Sequence, residues 1–258
     1  MSGKLLDEPT ILSKGNYLQL VVKLKFLDDA IIRSNDAEEV LTYKYKKLGD
    51  RFIIPWRKVK GKLRRAVMEK QRGLGIETNC HLKDDLCMRC PSCFIFGGTG
   101  ETSSAKVQYN ILARILGETF ISTNEVGEIQ PYTQNAVDEI TQQTGQALMS
   151  IVKVPAETEF LGVITLRDPT SEIVSIVINN ILRMSRLGAR TVEWGRLKTE
   201  ILGYKLSDRE DLSAYCLTKE DIDGLENINS LNLPVIDAAY KELDIKVKKL
   251  LKEKKLIS

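Results

Sequence analysis

The sequence contains little histidine, few aromatic residues and no long apolar run. Its 258 residues include one histidine, His81, and only 6% of them are aromatic. A mechanism that needs a pair of histidines is therefore excluded, and a Ser-His-Asp hydrolase would have to use His81 itself. The most apolar stretch, residues 172–182, is interrupted by Ser175, Asn179 and Asn180 and is too short to span a bilayer. Because the N-terminal residues also lack the pattern of a secretory signal, we expect a cytoplasmic protein that does not enter a membrane.

Four of the five cysteines lie close together, at Cys80, Cys87, Cys90 and Cys93. Disulfides are rare in a reducing compartment, so the cluster indicates a metal site. Thiols at these short spacings can bind one tetrahedral Zn²⁺ ion, with Cys87, Cys90 and Cys93 as ligands and either Cys80 or its neighbour His81 as the fourth. An iron–sulfur cluster is the alternative, but the sequence lacks the CxxxCP continuation typical of one, which favours zinc. A closed, thiolate-rich site leaves no position for water, so we predict that the zinc is structural.

Positive charge is concentrated in one segment. Between Arg51 and Arg72 there are nine lysines or arginines and one acid, Glu69, whereas the whole chain carries only +3. Such a segment favours a polyanionic partner over a merely solvated helix, and we interpret it as a nucleic-acid-binding surface.

A helix with a buried stripe and cations on both flanks is predicted to begin after Pro55. The stripe is Val59, Leu63, Ala66 and Val67; one flank is Arg57, Lys60 and Arg64, and the other is Lys58, Lys62 and Arg65. Gly61 destabilises this helix by about 1 kcal/mol relative to alanine, so we expect close approach of another group to the backbone there.

Apolar patterns predict the order of the remaining elements. Strands are predicted at 17–27, 43–46, 51–54, 105–116, 146–154 and 158–167, with a further strand after a basic turn that contains Gly188 and Gly195; further helices are predicted at 170–187 and 235–255. This is the α+β, ferredoxin-like βαββαβ order, which is also that of the RNA-recognition fold. The polar segment 117–145 is predicted to be a protruding arm. Tyr43 and Tyr45 share a strand face and could stack nucleobases, although such pairs more often pack at the edge of a core.

Motifs in a fixed order resemble the RAMP superfamily of CRISPR effector proteins, in particular the backbone subunit that multimerises along the guide RNA. Residues 54–64 resemble the family's Ile-Pro-Gly-Ser-Ser-Leu-Lys-Gly-x-x-Arg segment, with matches at Ile54, Pro55, Lys60, Gly61 and Arg64. Residues 93–97 are similar to its Cys-x-Leu-Phe-Gly motif, residues 135–145 to its intermediate-tip region and residues 186–197 to its glycine-rich C-terminal segment.

Two features distinguish this chain within the resemblance. Trp56, Arg57 and Lys58 stand where the family motif has Gly-Ser-Ser, so side chains replace small residues at expected phosphate contacts. The cysteine-containing insert is similar to that of the subtype I-D backbone subunit.

The resemblance implies a single RAMP-type domain, 1–258, with a modified RNA-recognition (RRM-like) core. It places a zinc-binding insert at 73–104, a thumb hairpin at 117–145 and a C-terminal helical extension at 205–258. Residues expected to contact the RNA are Trp56, Arg57, Lys58, Lys60, Gly61, Arg64, Arg65, Arg186, Arg190 and Arg196. The implied function is a non-enzymatic antiviral effector subunit that binds guide RNA (crRNA) phosphates without sequence preference. Copies of itself, target nucleic acid and other effector subunits would be its partners.

Two alternatives remain open at the level of sequence. Backbone subunits of related type III complexes cleave target RNA with an aspartate after the first strand, and here Asp28, Asp29 and Asp36 could bind Mg²⁺. Aspartates in such loops more often form turns, so we favour the scaffold. A zinc-stabilised nucleic-acid-binding regulator unrelated to CRISPR would also fit the charge and the cysteines.

Overall fold

The computed structural model describes residues 3–33, 41–83, 85–101, 106–127, 132–137, 140–142 and 144–257. In chain order the strands are β1 (Tyr17–Phe26), β2 (Thr42–Tyr45), β3 (Gly49–Ile54), β4 (Ile115–Gly117), β5 (Phe120–Ser122), β6 (Tyr132–Val137), β7 (Thr144–Ile151), β8 (Glu159–Arg167) and β9 (Leu197–Ser207). The α-helices are α1 (Trp56–Gly73), α2 (Pro91–Phe96), α3 (Ser171–Leu182), α4 (Lys219–Asp223) and α5 (Ile236–Glu253). The predicted α+β class is confirmed.

The main sheet is antiparallel and is built around β1. Its strands lie in the order β2-β3-β5-β8-β1-β9, and β4 also pairs with β8, whereas β6 and β7 form a separate hairpin. Leu20 of β1 lies opposite Ile164 of β8 and Tyr204 of β9. Every second residue of β1 faces the main core, as the alternation of Leu20, Val22, Leu24 and Phe26 predicts; these four residues and Leu18 are fully buried.

Three helices pack together over the core. Helix α1 begins after Pro55 as predicted and buries Val59, Leu63 and Val67. Helix α3 starts at the Thr170 cap and ends at Leu182, before the predicted end at residue 187. The Tyr240 hydroxyl of α5 donates to the Val67 carbonyl and accepts from the Asn180 amide, which ties α1, α3 and α5 together.

The opposite face of the sheet is covered by the chain that follows β9. The Gln19 side chain of β1 accepts hydrogen bonds from the backbone N–H groups of Asp211 and Leu212 and donates to the Leu212 carbonyl. Val21, Val163 and Leu212 form a small apolar cluster there. The central strands are therefore buried on both faces.

The prediction of one strand at 105–116 is wrong for most of its length. Among the described residues of this stretch, only 115 and 116 belong to a strand, β4, and residues 106–114 are irregular apart from a bridge between Ile111 and Gly98. The reason is Arg114, whose buried side chain pairs with Asp168 and lies over the Phe94 ring. Those contacts hold the chain in an irregular path.

The polar segment 117–145 divides between two structures. Phe120–Ser122 joins the main sheet as β5, because the fully buried Phe120 ring packs against the backbone of Gly162. The hairpin of β6 and β7 starts at Tyr132 and continues to Ile151, beyond residue 145. Among the described residues, no helix is both long and apolar enough to cross a membrane.

Candidate nucleic-acid interface and metal centre

A basic cleft of about 290 Å³ lies between the first half of α1 and the loop that precedes β9. Its cationic lining, in the described part of the chain, is Arg33, Arg57, Lys58, Lys62 and Arg65; none of the described lining residues is acidic. Burial, followed by the charge of Arg57, lowers the pKa of Lys58, because both disfavour a further positive charge. The concentration of like charge makes this cleft a strong attractor for an anion.

Helical periodicity explains the wall formed by α1. Residues 57, 58, 61, 62 and 65 recur on one face of a helix with 3.6 residues per turn, while Val59, Leu63 and Val67 face the core. Gly61 lies in the middle of the cationic face, and a Cβ atom there would meet only the Arg65 Nη1 atom, at 3.6 Å. The space beside Gly61 is therefore open to a ligand.

The opposite wall is a loop held in place by glycine. Gly188 has φ +119°, and a Cβ on it would lie 2.9 Å from the Ile31 carbonyl oxygen. The Ala189 N–H donates to that same carbonyl at 2.9 Å, and the Gly195 N–H donates to the Asp29 carbonyl. Only glycine permits this approach, which brings the loop against the chain that leaves β1.

Arg33 is a lining cation with unsatisfied hydrogen-bond donors. Its Nε and Nη2 atoms are buried and have no hydrogen-bond partner within the described ranges. A buried guanidinium nitrogen without an acceptor is costly, so these two nitrogens are suited to donate to an anionic ligand.

Of the residues expected to contact RNA, Arg57, Lys58, Gly61 and Arg65 line the cleft. The others lie elsewhere. The Arg64 guanidinium lies 5.7 Å from the centre of the Phe96 ring, on the other flank of α1. Burial, followed by the neighbouring charge of Arg64, lowers the pKa of Lys60. Trp56 packs against Gly117, where its ring occupies the space that a Cβ would need.

The three arginines of the loop are also outside the cleft lining. The Arg186 side chain donates to the Trp194 carbonyl at 3.5 Å. The Arg186 backbone forms an antiparallel β-bridge with Arg196, and the Arg196 N–H donates to the Asp28 carboxylate at 2.7 Å. The Arg190 guanidinium lies 5.9 Å from the Trp194 ring centre.

Two lining cations, Arg33 and Lys62, were not among the expected contacts. Lys62 could have been found from its spacing to Lys58 and Arg65 on one helix flank. No local pattern singles out Arg33.

The four clustered thiols come together in space. The Sγ atoms of Cys80, Cys87, Cys90 and Cys93 all lie within 4.8 Å of one another. Cys80 Sγ is 3.7 Å from the Sγ atoms of both Cys90 and Cys93. Tetrahedral zinc with bonds of about 2.3 Å requires sulfur–sulfur distances of about 3.8 Å. The donor set and its dimensions therefore fit zinc.

Local structure aims these thiols at one point. Cys80 follows the turn after α1, and Cys90 caps α2 so that its sulfur accepts from the Cys93 N–H at 3.4 Å. The Cys87 N–H donates to Cys80 Sγ at 3.4 Å. Side-chain hydrogen bonds from Cys87, Cys90 and Cys93 lower the pKa of Cys80. The side-chain hydrogen bond to Cys80 and burial raise the pKa of Cys90.

His81 is turned away from this group. Its Nδ1 atom lies 2.9 Å from the Asn79 carbonyl oxygen and its Nε2 atom 3.0 Å from the Asp85 carboxylate. Its side chain is 57% exposed. The structure therefore brings together the four cysteines and leaves the imidazole at the surface.

The aspartates after β1 have structural partners. Asp28 accepts the Arg196 N–H, and Asp29 accepts the Ala156 N–H at 3.1 Å and pairs with Lys153 at 3.3 Å. Asp36 lies outside the described residues. The two described carboxylates are thus used to hold the surrounding loops.

Comparison with known proteins points to one family. The family model described as Csc2 Crispr matches residues 10–257. The fold is similar to the crystal structure of Thermofilum pendens Csc2, with a TM-score of 0.56 and 20% identity over 96% of this chain and 79% of that chain. It is also similar to a chain of a Type IV-B CRISPR complex, with a TM-score of 0.54 and 14% identity over 85% of this chain and 96% of that one. The comparison with curated proteins found no match.

Proposed function

The chain belongs to the Csc2 CRISPR family, and from that premise we propose that it is an effector subunit whose basic cleft binds guide RNA phosphates. The observation that carries this proposal is the convergence of five cations on one cleft, with Arg33 nitrogens buried and unpaired within the described residues. A phosphate would supply the missing acceptor. Family membership also overturns the alternative of a regulator unrelated to CRISPR.

The proposed contacts are independent of RNA sequence. Lysine and arginine side chains at the cleft suit phosphate oxygens, and phosphate contacts position a strand without reading its bases. This suits a subunit that must accept any guide. Within the cleft we assign the contacts to Arg33, Arg57, Lys58, Lys62 and Arg65, with Gly61 allowing close approach.

We also propose that the core is a modified RNA-recognition fold. The neighbouring strands β9-β1-β8-β5 have the order of a βαββαβ sheet, with α1 following the first strand and α3 preceding the last. In this chain residues 208–217 cover the face that such folds commonly use for RNA. The guide would therefore bind beside α1 rather than across the central strands.

The proposed cofactor is one structural zinc ion held by Cys80, Cys87, Cys90 and Cys93. When bound, zinc would cross-link the end of α1 to the start of α2 within an insert at 73–104. Four protein thiolates close a tetrahedral site, so the ion would stabilise the fold and leave no position for a substrate.

The remaining assignments follow from the proposed family role. The hairpin of β6 and β7 is the candidate thumb, and residues 205–258 form the candidate C-terminal extension. Copies of the subunit would line up head to tail on the guide in a cytoplasmic, type I-D complex, with other effector subunits and the target strand as partners.

Salt-dependent binding to unrelated single-stranded RNAs tests the cleft. Each neutralised phosphate contributes about 0.7 to the slope of log affinity against log salt for single strands. The variant Lys62→Ala/Arg65→Ala is expected to reduce this slope by about 1.4 for every RNA. Lys249→Ala/Lys252→Ala, on the exposed side of α5, removes the same charge as a matched control. Equal slopes for the two variants would contradict the assignment.

A further inference from the structure

Three tyrosine rings form a cluster at the edge of the main sheet. Tyr43 and Tyr45 of β2 have ring centres 4.7 Å apart and meet edge to face, with 60° between their planes. Tyr215, from the segment before α4, lies 5.4 Å from Tyr45 and is tilted by 35° relative to it. The outer rings are open to solvent: Tyr43 is 58% exposed and Tyr215 is 37% exposed. This is not the arrangement of a pair that packs at the edge of a core.

Two separate features of the fold bring the three rings together. Strand alternation puts Tyr43 and Tyr45 on one face of β2, which pairs only with β3 among the described strands. The half-buried Glu118 side chain accepts hydrogen bonds from the Ser213 hydroxyl and the Ala214 N–H, which places Tyr215 beside Tyr45. The Glu118 carboxylate thus accepts hydrogen bonds from two residues of the segment that carries Tyr215.

The hairpin that carries Tyr43 and Tyr45 is basic, while Glu118 and Glu125 approach it from the neighbouring chain. Lys44, Lys46, Lys47 and Arg51 belong to the same short hairpin, against one acid, Asp50. Strand β2 also starts beside the cleft, since the Leu41 N–H donates to the Ile32 carbonyl next to Arg33. Tyr43 is two residues, or about 7 Å of strand, from Leu41.

We propose that Tyr43, Tyr45 and Tyr215 form a platform on which the bases of a single-stranded nucleic acid stack. The proposal rests on the proposed function, because the strand concerned would be one whose phosphates lie in or near the cleft. Aromatic rings beside cations bind single strands with little sequence preference, since every base has a π-face. The platform would hold bases while the cleft holds phosphates.

The test compares two oligonucleotides on the full-length protein. One is a mixed-sequence single-stranded RNA of about 12 nucleotides, and the other has the same length and backbone but abasic positions throughout. Wild type is expected to prefer the base-containing strand by about tenfold or more. Tyr43→Leu and Tyr215→Leu should lose most of that preference with an unchanged salt slope, whereas Tyr43→Phe should keep it.

Alkylation of Cys216 gives a second readout. This cysteine is exposed and adjoins Tyr215, whereas the clustered thiols are buried or half-buried. The base-containing RNA should slow its alkylation, and the abasic strand should not.

The outcomes separate the two proposals. Absence of salt-dependent binding to either strand would refute the cleft as an RNA site. Salt-dependent binding with equal affinity for the two strands would leave the cleft intact and overturn the platform. If Tyr43→Leu lost self-association but kept the base preference, the tyrosines would form a protein interface rather than a base-stacking platform, and the platform proposal would be overturned.

Discussion

Replacing Gly61 with alanine should stabilise the folded protein and weaken the RNA binding proposed above. Gly61 lies inside α1, where alanine is favoured over glycine by about 0.8–1 kcal/mol. The new Cβ would meet only Arg65 Nη1, at an ordinary contact distance of 3.6 Å. No steric cost therefore opposes the gain, and the melting temperature should rise by about 2–4 °C for a chain of this size.

The loss of affinity follows from the position of Gly61 among the cations. A methyl group would move a bound phosphate away from the helix by about 1.5 Å. At an effective dielectric constant of about 20, moving from about 4 Å to about 5.5 Å from one cation weakens the attraction by about 1 kcal/mol. With one or two of Lys58, Lys62 and Arg65 affected, the expected loss is roughly 5- to 30-fold in affinity.

The assay pairs thermal unfolding with RNA titration at fixed salt. Gly73→Ala is the matched control, because Gly73 also belongs to α1 but lies at its far end, where a Cβ would meet no atom within 4 Å. It should leave RNA affinity unchanged. A Gly61→Ala protein that is more stable yet binds RNA like wild type would refute close phosphate approach. A Gly61→Ala protein that is less stable than wild type would refute the expected gain in helix stability.

Two further predictions concern the metal centre and a buried ion pair. Cys93→Ser should abolish stoichiometric zinc and lower thermal stability, whereas His81→Ala should retain zinc with a stability change below about 1 kcal/mol; elemental analysis and melting curves check both. A metal-depleted His81→Ala protein would contradict the all-cysteine site. Lys246→Met should cost about 3 kcal/mol of unfolding free energy near neutral pH, because it leaves the almost fully buried Glu172 carboxylate without its partner at 2.7 Å. In wild type, burial raises the pKa of Glu172, but the hydrogen bonds from Lys246 and Thr170 together with the charge of Lys246 outweigh burial and keep the pKa lowered. That stabilisation is present above the unfolded pKa and is lost as the pH falls through the folded one. Denaturant titrations should therefore show that the loss of unfolding free energy in Lys246→Met becomes smaller at acidic pH. A loss that does not depend on pH would contradict this explanation.

Local pattern was enough to predict the elements that carry the site. The start of α1 at Pro55 and its apolar stripe follow from helical periodicity, and β1 follows from strict alternation. The short spacing of Cys87, Cys90 and Cys93 was enough to predict that their thiols lie close together. These predictions succeed because each depends on residues within a few turns or a few strand positions of one another.

Local pattern failed where a distant contact decides the conformation. Residues 106–114 have the composition of a strand, but the buried pair of Arg114 with Asp168 holds them in an irregular path. Phe120 was assigned to a polar arm. Its ring instead packs against Gly162, where the absence of a side chain leaves room for it, and β5 therefore belongs to the main sheet. Burial of one large or charged side chain outweighs the weak preference of a short segment.

The sequence by itself determined the family motifs, the basic helix and the candidate metal ligands, because composition and short spacings encode them directly. It could not decide between Cys80 and His81, since neighbours in sequence differ only in where the fold points them. Tertiary structure also decided that Arg33 joins the flank of α1 that carries Lys62, and that Tyr215 joins Tyr45. These pairs are distant along the chain, and only the packing of separate elements brings them into contact.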